Sequence, residues 1–336
     1  MGKKRIAGIA MTALMAAGLA AAVPVTAAEG AEKLTVCLDW TPNTNHTGVY
    51  AALGLGYYEE AGLDVEVVQP PEDGAILMCA AGQAQLAFEA QDTLAHSLDL
   101  EEPLGITAVA AVLQHNTSGI LSRAGDGITS PRGLEGRVYS TWENPVELAM
   151  LRYCKEQEGA DFDSVKLIPN TITDEPAALA AGQTDAVWIF YGWSGINAEL
   201  QGVDCDFWRF SDLAGELDYY TPVILANNDF LAEKPETARA FLAATQKGYA
   251  YAIEHPREAA DLLIEGDTTG SLEDARELVY ASQEWISGQY VADAERWGVF
   301  DPDRWNAFYG WLVDHSLTDH DLRGAGFTND YLPSLE

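Results

Sequence analysis

The sequence predicts an α/β protein of two lobes, and three observations lead to this fold class. Apolar runs of strand length alternate with segments of helical periodicity, which is typical of parallel sheets covered by helices. The same alternation starts again in the middle of the chain. With 336 residues, 48% of them hydrophobic, the chain also exceeds what one core usually holds. We therefore expect two α/β lobes joined by two hinge crossings.

The first 28 residues have the three parts of a secretory signal peptide. Cations at positions 3–5 precede an apolar run from 6 to 23, and small residues follow it. An uncleaved membrane anchor is the alternative, but Pro24 and the small residues favour cleavage after Ala27 or Ala28. Because no cysteine directly follows the apolar run, a lipid anchor is not expected. We expect a protein that is free in the periplasm or an equivalent extracytoplasmic space.

The first lobe is predicted to begin with alternating strands and helices. The strands are predicted at 34–39, 63–69 and 84–89, and the helices at 46–61, 74–81 and 91–98. Gly62 is expected to end the first of these helices, because glycine readily adopts the backbone that closes a helix. The chain is then expected to leave this lobe through an extended segment at 116–122.

The second lobe repeats the pattern before the chain returns. Strands are predicted at 136–140, 166–169 and 185–190, helices at 145–156 and 175–181, and the return segment at 220–227. Four more helices are predicted at 235–254, 256–263, 272–290 and 302–315. Two crossings form a hinge about which lobes can close on a ligand. The predicted boundaries are 33–118 with 223–330 for lobe 1, and 119–222 for lobe 2.

The charge balance excludes several classes of partner. The chain has 19 Lys and Arg against 52 Asp and Glu, a formal net charge of -33. Such a surface repels the phosphates of nucleic acids and anionic lipid headgroups. We therefore expect no nucleic-acid partner and no binding to membrane surfaces.

Motifs for catalysis or metal binding are missing from the sequence. The six histidines form no H-E-x-x-H pattern, and neither G-x-S-x-G nor a P-loop occurs. The four cysteines are far apart and form no C-x-x-C, so buried free thiols are favoured over disulfides; they are Cys37, Cys79, Cys154 and Cys205. We expect a binding protein with no cofactor and no metal.

Aromatic, amide and imidazole groups follow the first predicted strand, where ligands collect in open α/β sheets. The loop offers Trp40, Asn43 and His46 as ligand contacts. The alternative is a structural role, in which Asn45 or Thr47 caps the next helix and Trp40 belongs to the core.

The loop after 84–89 contains Gln91, which we expect to contact a ligand, and Asp92, which we expect to cap the following helix. At the exit crossing Asn116 has two equal interpretations, a hinge hydrogen bond or a ligand contact.

Lobe 2 contributes a second group of candidates. Trp142 and Glu147 flank the start of a helix, although Glu147 has the alternative of serving the helix dipole. In the aromatic run 188–193, strand alternation places the side chains of positions 188 and 190 on one face, in the core. This leaves Tyr191 and Trp193 as the better cleft candidates.

These side chains suit a planar heteroaromatic ligand with an amidine-like edge. Aromatic rings stack with about 0.5–1.5 kcal/mol beyond area burial. Amides match a donor beside an acceptor, and a carboxylate suits a protonated ring. Sulfonate, phosphate or nitrate would call for Arg, Lys or Gly-rich nests, and none of these loops carries Arg or Lys.

Four segments also resemble a known family. They are LDWTPNTNHTG at 38–48, QHNTS at 114–118, WIFYGW at 188–193 and YTPV at 220–223. They are similar to bacterial pyrimidine-precursor-binding proteins of thiamin-salvage ABC importers, the SsuA/THI5-like or NMT1-like family. The resemblance implies a type II periplasmic-binding-protein fold, a formylaminopyrimidine or hydroxymethylpyrimidine ligand, an ABC permease as partner, and a monomer. It also implies these site residues: Trp40, Asn43, His46, Asn116, Tyr191, Trp193 and, from the last segment, Tyr220.

The same superfamily contains a fungal-type synthase that makes the pyrimidine from pyridoxal phosphate and its own histidine. In that enzyme type a lysine and a histidine match Phe88 and Asp92, and a cysteine cluster precedes the return strand. Here 216–220 contains no cysteine. The signal peptide also argues against a synthase. The other alternative is a binding protein for a sulfonate, taurine or a riboflavin-type solute.

Overall fold

The computed structural model describes residues 30–334. The predicted signal peptide at 1–28 lies outside the described residues. Among the described helices, none has the length and apolar character that a bilayer span requires.

The described residues form ten strands and twelve α-helices. The strands are β1 Glu32–Cys37, β2 Leu63–Val68, β3 Leu86–Glu89, β4 Ile106–Ala111, β5 Ser118–Arg123, β6 Val138–Thr141, β7 Lys166–Pro169, β8 Ala186–Phe190, β9 Cys205–Arg209 and β10 Val223–Asn227. The helices are α1 Thr47–Gly54, α2 Tyr57–Glu60, α3 Ala75–Ala80, α4 Gln91–Leu98, α5 Pro145–Gln157, α6 Glu175–Ala180, α7 Ile196–Gln201, α8 Asn228–Glu233, α9 Pro235–Glu254, α10 Pro256–Gly266, α11 Arg276–Ile286 and α12 Pro302–Asp314.

The strands form two five-stranded mixed sheets, one in each lobe. The first has the order β2-β1-β3-β10-β4, and the second has the order β7-β6-β8-β5-β9. In each sheet the first three strands are parallel, and the strand beside them is antiparallel. The strand β10 lies in the return segment, where the chain comes back from lobe 2 to lobe 1. It is buried along its whole length, because β3 and β4 flank it. The α/β fold with two crossings between lobes is confirmed.

The first predicted helix is wrong in detail. Instead of one helix at 46–61, the chain forms a short 3-10 helix at 44–46, then α1 and α2. Gly56 interrupts the run with φ of 75°, a left-handed backbone that glycine adopts without steric cost. Gly62, also at positive φ, ends the segment as predicted.

Two strands were not predicted, β4 and β9. The strand β4 reads ITAVAA and is rich in alanine, which has a low β propensity, although it pairs with β10 and is almost entirely buried. The strand β9 reads CDFWR and lies at a sheet edge, where polar residues break the apolar pattern. In both cases tertiary pairing decides the conformation.

Packing across the crossings ties the C-terminal helices to both lobes. One apolar cluster includes residues of both sheets together with Trp305 and Trp311 of α12. The ring of Trp311 lies 5.7 Å from that of Tyr153 in lobe 2. Trp297, between two predicted helices, is buried in a loop. Free cysteines are confirmed among the described residues, although Cys205 is only half-buried.

Candidate ligand-binding site

A cavity of about 180 Å³ lies between the two lobes. Its walls come from the residues that follow β3, from those that follow β6, from the end of β8, and from the return crossing. They are Ala90, Asp92, Thr93, Trp142, Asn144, Val146, Glu147, Trp188, Phe190, Tyr219 and Thr221. The cavity is therefore at the carboxyl ends of strands, where open α/β sheets bind ligands.

One wall of the cavity is aromatic. The ring of Trp142 lies 5.9 Å from that of Trp188, which packs 4.1 Å from Phe210 in turn. Trp188 is buried, whereas Trp142 is 48% exposed. Trp142 therefore keeps free surface on which a planar ligand can stack.

Hydrogen bonds to Glu147 hold the Trp142 loop in place. The buried carboxylate accepts from Tyr139 Oη at 2.6 Å and from Thr141 Oγ1 at 2.9 Å. It also accepts from the backbone N–H of Trp142 and Asn144, both at 3.3 Å. Glu147 lines the cavity, but these bonds use its oxygens, so the residue positions the loop and caps α5.

Backbone strain accompanies this loop. Glu143, directly after Trp142, has φ of 59°, which is uncommon for a residue other than glycine. Its N–H donates to Thr141 Oγ1 at 2.9 Å, which stabilises the turn. Such strain clusters at ligand sites.

The opposite wall carries an unpaired carboxylate oxygen. Asp92 retains some exposed surface, but its Oδ1 is buried and has no hydrogen-bond partner. Burial raises the pKa of Asp92. Beside it, burial and then the charge of Asp39 raise the pKa of Glu89 to about 8. This side of the cavity is acidic and only partly compensated by hydrogen bonds.

The prediction that Asp92 caps α4 is wrong. The N-cap position is Ala90, which provides no side-chain hydrogen bond, and Asp92 is the second residue of the helix. Gln91 has the role expected of a structural residue: its Nε2 donates to Trp305 O and its Oε1 accepts from Tyr220 N, both at 3.0 Å. The structure does not bring Gln91 to the cavity.

The loop after β1 lies beside this acidic wall. The N–H of Asn43 donates to His46 Nδ1 at 3.1 Å, so the ring proton is on Nε2, which donates to Asp39 at 2.8 Å. Asn43 also caps the 3-10 helix by accepting from Asn45 N at 2.9 Å. Capping by Asn45 or Thr47 is therefore wrong. Trp40 is 65% exposed, so its assignment to the core is wrong as well.

The remaining candidates lie at the junction of the lobes, away from the cavity lining. Asn116 is buried and donates to Leu217 O at 3.0 Å, which joins the two crossings. The Oη of Tyr220 accepts from the N–H of Asp301 at 2.8 Å. These contacts correspond to the hinge interpretation of Asn116.

The aromatic run 188–193 divides differently from the prediction. Trp188 and Phe190 share a face, but this face lines the cavity. The ring of Tyr191 lies 5.3 Å from that of Trp285, and its hydroxyl donates to Glu199. Trp193 packs against the apolar cluster of lobe 1. Neither Tyr191 nor Trp193 is among the residues that line this cavity, and their role as ligand contacts stays a prediction.

A charged group joins the two crossings near the cavity. His115 of the exit crossing contacts Asp218 of the return crossing at 2.7 Å and Asp293 at 3.0 Å. The hydrogen bond to Asp218 raises the pKa of His115. Arg304 of α12 lies 3.6 Å from Asp218. Protonated His115 stabilises this junction.

Of the predicted site residues, Trp142 and Glu147 line the cavity, and Trp40, Asn43 and His46 lie in the adjacent loop. Sequence reasoning missed Asp92, Trp188, Phe190, Tyr219 and Thr221 as lining residues. The available signal was their position at strand ends. No group of three potential ligands for a metal ion occurs within 30–334.

Comparisons with known proteins agree with this architecture. The family model described as "NMT1/THI5 like" matches residues 43–259. The formylaminopyrimidine-binding protein of Halalkalibacterium halodurans is 29% identical over 296 residues, covering 85% of this chain and 86% of that protein. The 4-amino-5-hydroxymethyl-2-methylpyrimidine phosphate synthase of Candida albicans is 26% identical over 250 residues, covering 68% and 69%.

Solved structures are similar in fold. The periplasmic aliphatic sulphonate binding protein SsuA of Escherichia coli superposes with a TM-score of 0.63 at 15% identity, covering 86% of this chain and 89% of that one. At this identity the likeness concerns the fold alone, which is that of periplasmic binding proteins.

Proposed function

This chain belongs to the NMT1/THI5-like family, and from this premise we propose that it is a solute-binding protein of an ABC importer. The cargo is an aminopyrimidine precursor of thiamin, either a formylaminopyrimidine or a hydroxymethylpyrimidine. The name of the 29% identical relative supports the former. A membrane permease receives the ligand, and the protein acts as a monomer.

The observation that carries the proposal is the composition of the cavity between the lobes. The partly exposed ring of Trp142 offers a stacking surface, and Asp92 Oδ1 offers an acceptor without a partner. An aminopyrimidine has a flat ring that can stack on Trp142 and amino hydrogens that can be donated to Asp92 Oδ1. The apolar faces of the pyrimidine ring match the aromatic wall of the cavity, and its polar edge matches the acidic wall.

The size of the cavity supports a small ligand. Pockets for drug-sized molecules measure about 300–1,000 Å³, whereas this cavity has about 180 Å³. One six-membered ring with short substituents suits that space better than a flavin or a nucleotide.

The mechanism is capture by closure of the lobes. The cavity walls come from both lobes, so a ligand that contacts Asp92 and Trp142 at once stabilises the closed form over the open form. Affinity then depends on the energy difference between the two forms as well as on contacts. The permease is proposed to recognise the closed form, and the predicted signal peptide to export the protein.

The local chemistry favours binding over synthesis. A synthase of the fungal type needs a lysine amine to hold pyridoxal phosphate as a Schiff base. The residue that matches this lysine is Phe88, which is buried with its ring 4.9 Å from that of His46. Asp92 stands where that enzyme type has its histidine. We therefore propose that the protein is not an enzyme.

Calorimetric titration of the purified mature protein tests the proposal. The ligands are a formylaminomethyl-aminopyrimidine, a hydroxymethyl-aminopyrimidine and an alkylsulfonate. Micromolar or tighter binding of a pyrimidine with no binding of the sulfonate is expected. Binding of the sulfonate alone would contradict the proposed cargo. Incubation with pyridoxal phosphate and iron should give no pyrimidine product.

A further inference from the structure

Two buried polar atoms without partners belong to residues that line the same cavity. Asp92 Oδ1 is an acceptor from lobe 1, and Trp188 Nε1 is a donor from lobe 2. Buried polar atoms in native proteins are nearly always hydrogen-bonded. The other such side-chain atoms in the described part of the chain belong to residues outside this cavity lining. The coincidence of an acceptor and a donor therefore needs an explanation specific to the cavity.

A ligand provides that explanation. Leaving a buried donor or acceptor without a partner is unfavourable, more so for a charged group. The aromatic wall gives Asp92 no hydrogen atom to accept, and Trp188 Nε1 finds no oxygen. Both atoms are covered by protein atoms in this structure, so a ligand with an N–H group and an acceptor atom satisfies both when the Asp92 and Trp188 side chains turn toward it.

We infer that Asp92 and Trp188 determine the ligand specificity of this cavity. Asp92 accepts a hydrogen bond from the exocyclic amino group of the ligand, and Trp188 Nε1 donates to an acceptor atom of the same ligand, a ring nitrogen or a formyl oxygen. This inference rests on the proposed function. It adds that amino-bearing, neutral or cationic rings are selected and anions are rejected.

The electrostatics of the cavity support the rejection of anions. None of the lining residues, all within the described range, is Arg or Lys. Asp92 and its neighbours Glu89 and Asp39 are all acidic, and the charges of Asp39 and Asp92 add to burial in raising the pKa of Glu89. A sulfonate would lie among acidic side chains with no cation to compensate its charge, whereas an amino group donates a hydrogen bond to the unpaired oxygen. The acidic wall thus acts against the ligands that similar folds carry.

The test compares four proteins and two ligands. Asp92→Asn removes the ionisable group with little change in shape, and Trp188→Phe keeps a ring but removes the N–H. Trp297→Phe is the matched control, because its Nε1 is also buried and unpaired but lies outside the cavity lining, in the apolar cluster of lobe 1. The wild-type protein completes the set. The ligands are the aminopyrimidine that the wild type binds and its analogue with hydrogen in place of the amino group.

The expected result is a selective loss of affinity. Asp92→Asn should weaken binding of the aminopyrimidine by about 10-fold and leave the desamino analogue within about threefold, since only the amino ligand stabilises an ionised carboxylate, which Asn cannot form. Trp188→Phe should weaken binding by about 3–10-fold, and Trp297→Phe should leave it unchanged. Far-UV circular dichroism checks that each variant is folded.

Equal losses for both ligands would overturn the inference and leave the proposed function intact. If Asp92→Asn does not fold, the wild type decides, because it must prefer the amino ligand by at least about tenfold. If the wild type binds no pyrimidine at all, the proposed function fails and this inference fails with it.

Discussion

Removal of the Trp142 ring should strongly weaken ligand binding while the fold is retained. Trp142 is 48% exposed and contacts Trp188 on one side, so Trp142→Ala should change the free energy of unfolding by less than about 1 kcal/mol. A stacked pyrimidine would cover roughly 80 Å² of this ring, which contributes about 2 kcal/mol at ~25 cal/mol/Å². Stacking adds about 0.5–1.5 kcal/mol. Together these terms predict a loss of about 60–300-fold in affinity.

Calorimetric titration with the aminopyrimidine measures this effect. Trp142→Phe should recover about half of the lost binding free energy, because it keeps a smaller ring. Leu200→Ala is the matched control, since Leu200 is 50% exposed in the same lobe but does not line the cavity. An affinity of Trp142→Ala within about threefold of the wild type, with the control unchanged, would refute the stacking argument.

Three further predictions concern stability. Burial raises the pKa of Glu89 from 4.5 to about 8, so the free energy of unfolding should fall by up to about 5 kcal/mol as pH rises from 4.5 through 8. In urea titrations at several pH values, Glu89→Gln should abolish this pH dependence of the free energy of unfolding. Gly248→Ala would place a Cβ 1.9 Å from the backbone oxygen of Gly48 and push α1 away from α9, so the urea midpoint of unfolding should fall. A rise in this midpoint would show that the higher helix propensity of alanine outweighs the steric clash. The hydrogen bond to Asp218 raises the pKa of His115, so protonated His115 stabilises the fold fully below pH 6.5, and this stabilisation is lost as pH rises through the folded-state pKa. His115→Gln should therefore destabilise the protein more at pH 5.5 than at pH 8.5.

Much of the fold could be predicted because most of its helices and strands have local sequence patterns that indicate their type and their buried face. The helix at Pro235–Glu254 has the bounds that its amphipathic pattern predicts, and Pro at its first position fits the N-terminus. The strands β4 and β9 could not be found in this way. Alanine-rich and polar edge strands acquire their conformation from the neighbours with which they pair.

The site could be predicted at the level of loops but not of side chains. The cavity lies at predicted strand ends, yet it uses Asp92 where Gln91 was expected, and Tyr219 beside Tyr220. Successive residues of a helix differ by about 100° in direction. Which of two neighbours faces the cavity is therefore set by distant contacts, here the carbonyl of Trp305 that binds Gln91.

The crystal structure of the complex with a formylaminopyrimidine tests the central claim most directly. We predict that the ring lies between Trp142 and the wall of lobe 1, with its amino group within hydrogen-bond distance of Asp92 Oδ1. A ligand bound away from the cavity, or one whose amino group faces solvent while Asp92 stays unpaired, would contradict the account.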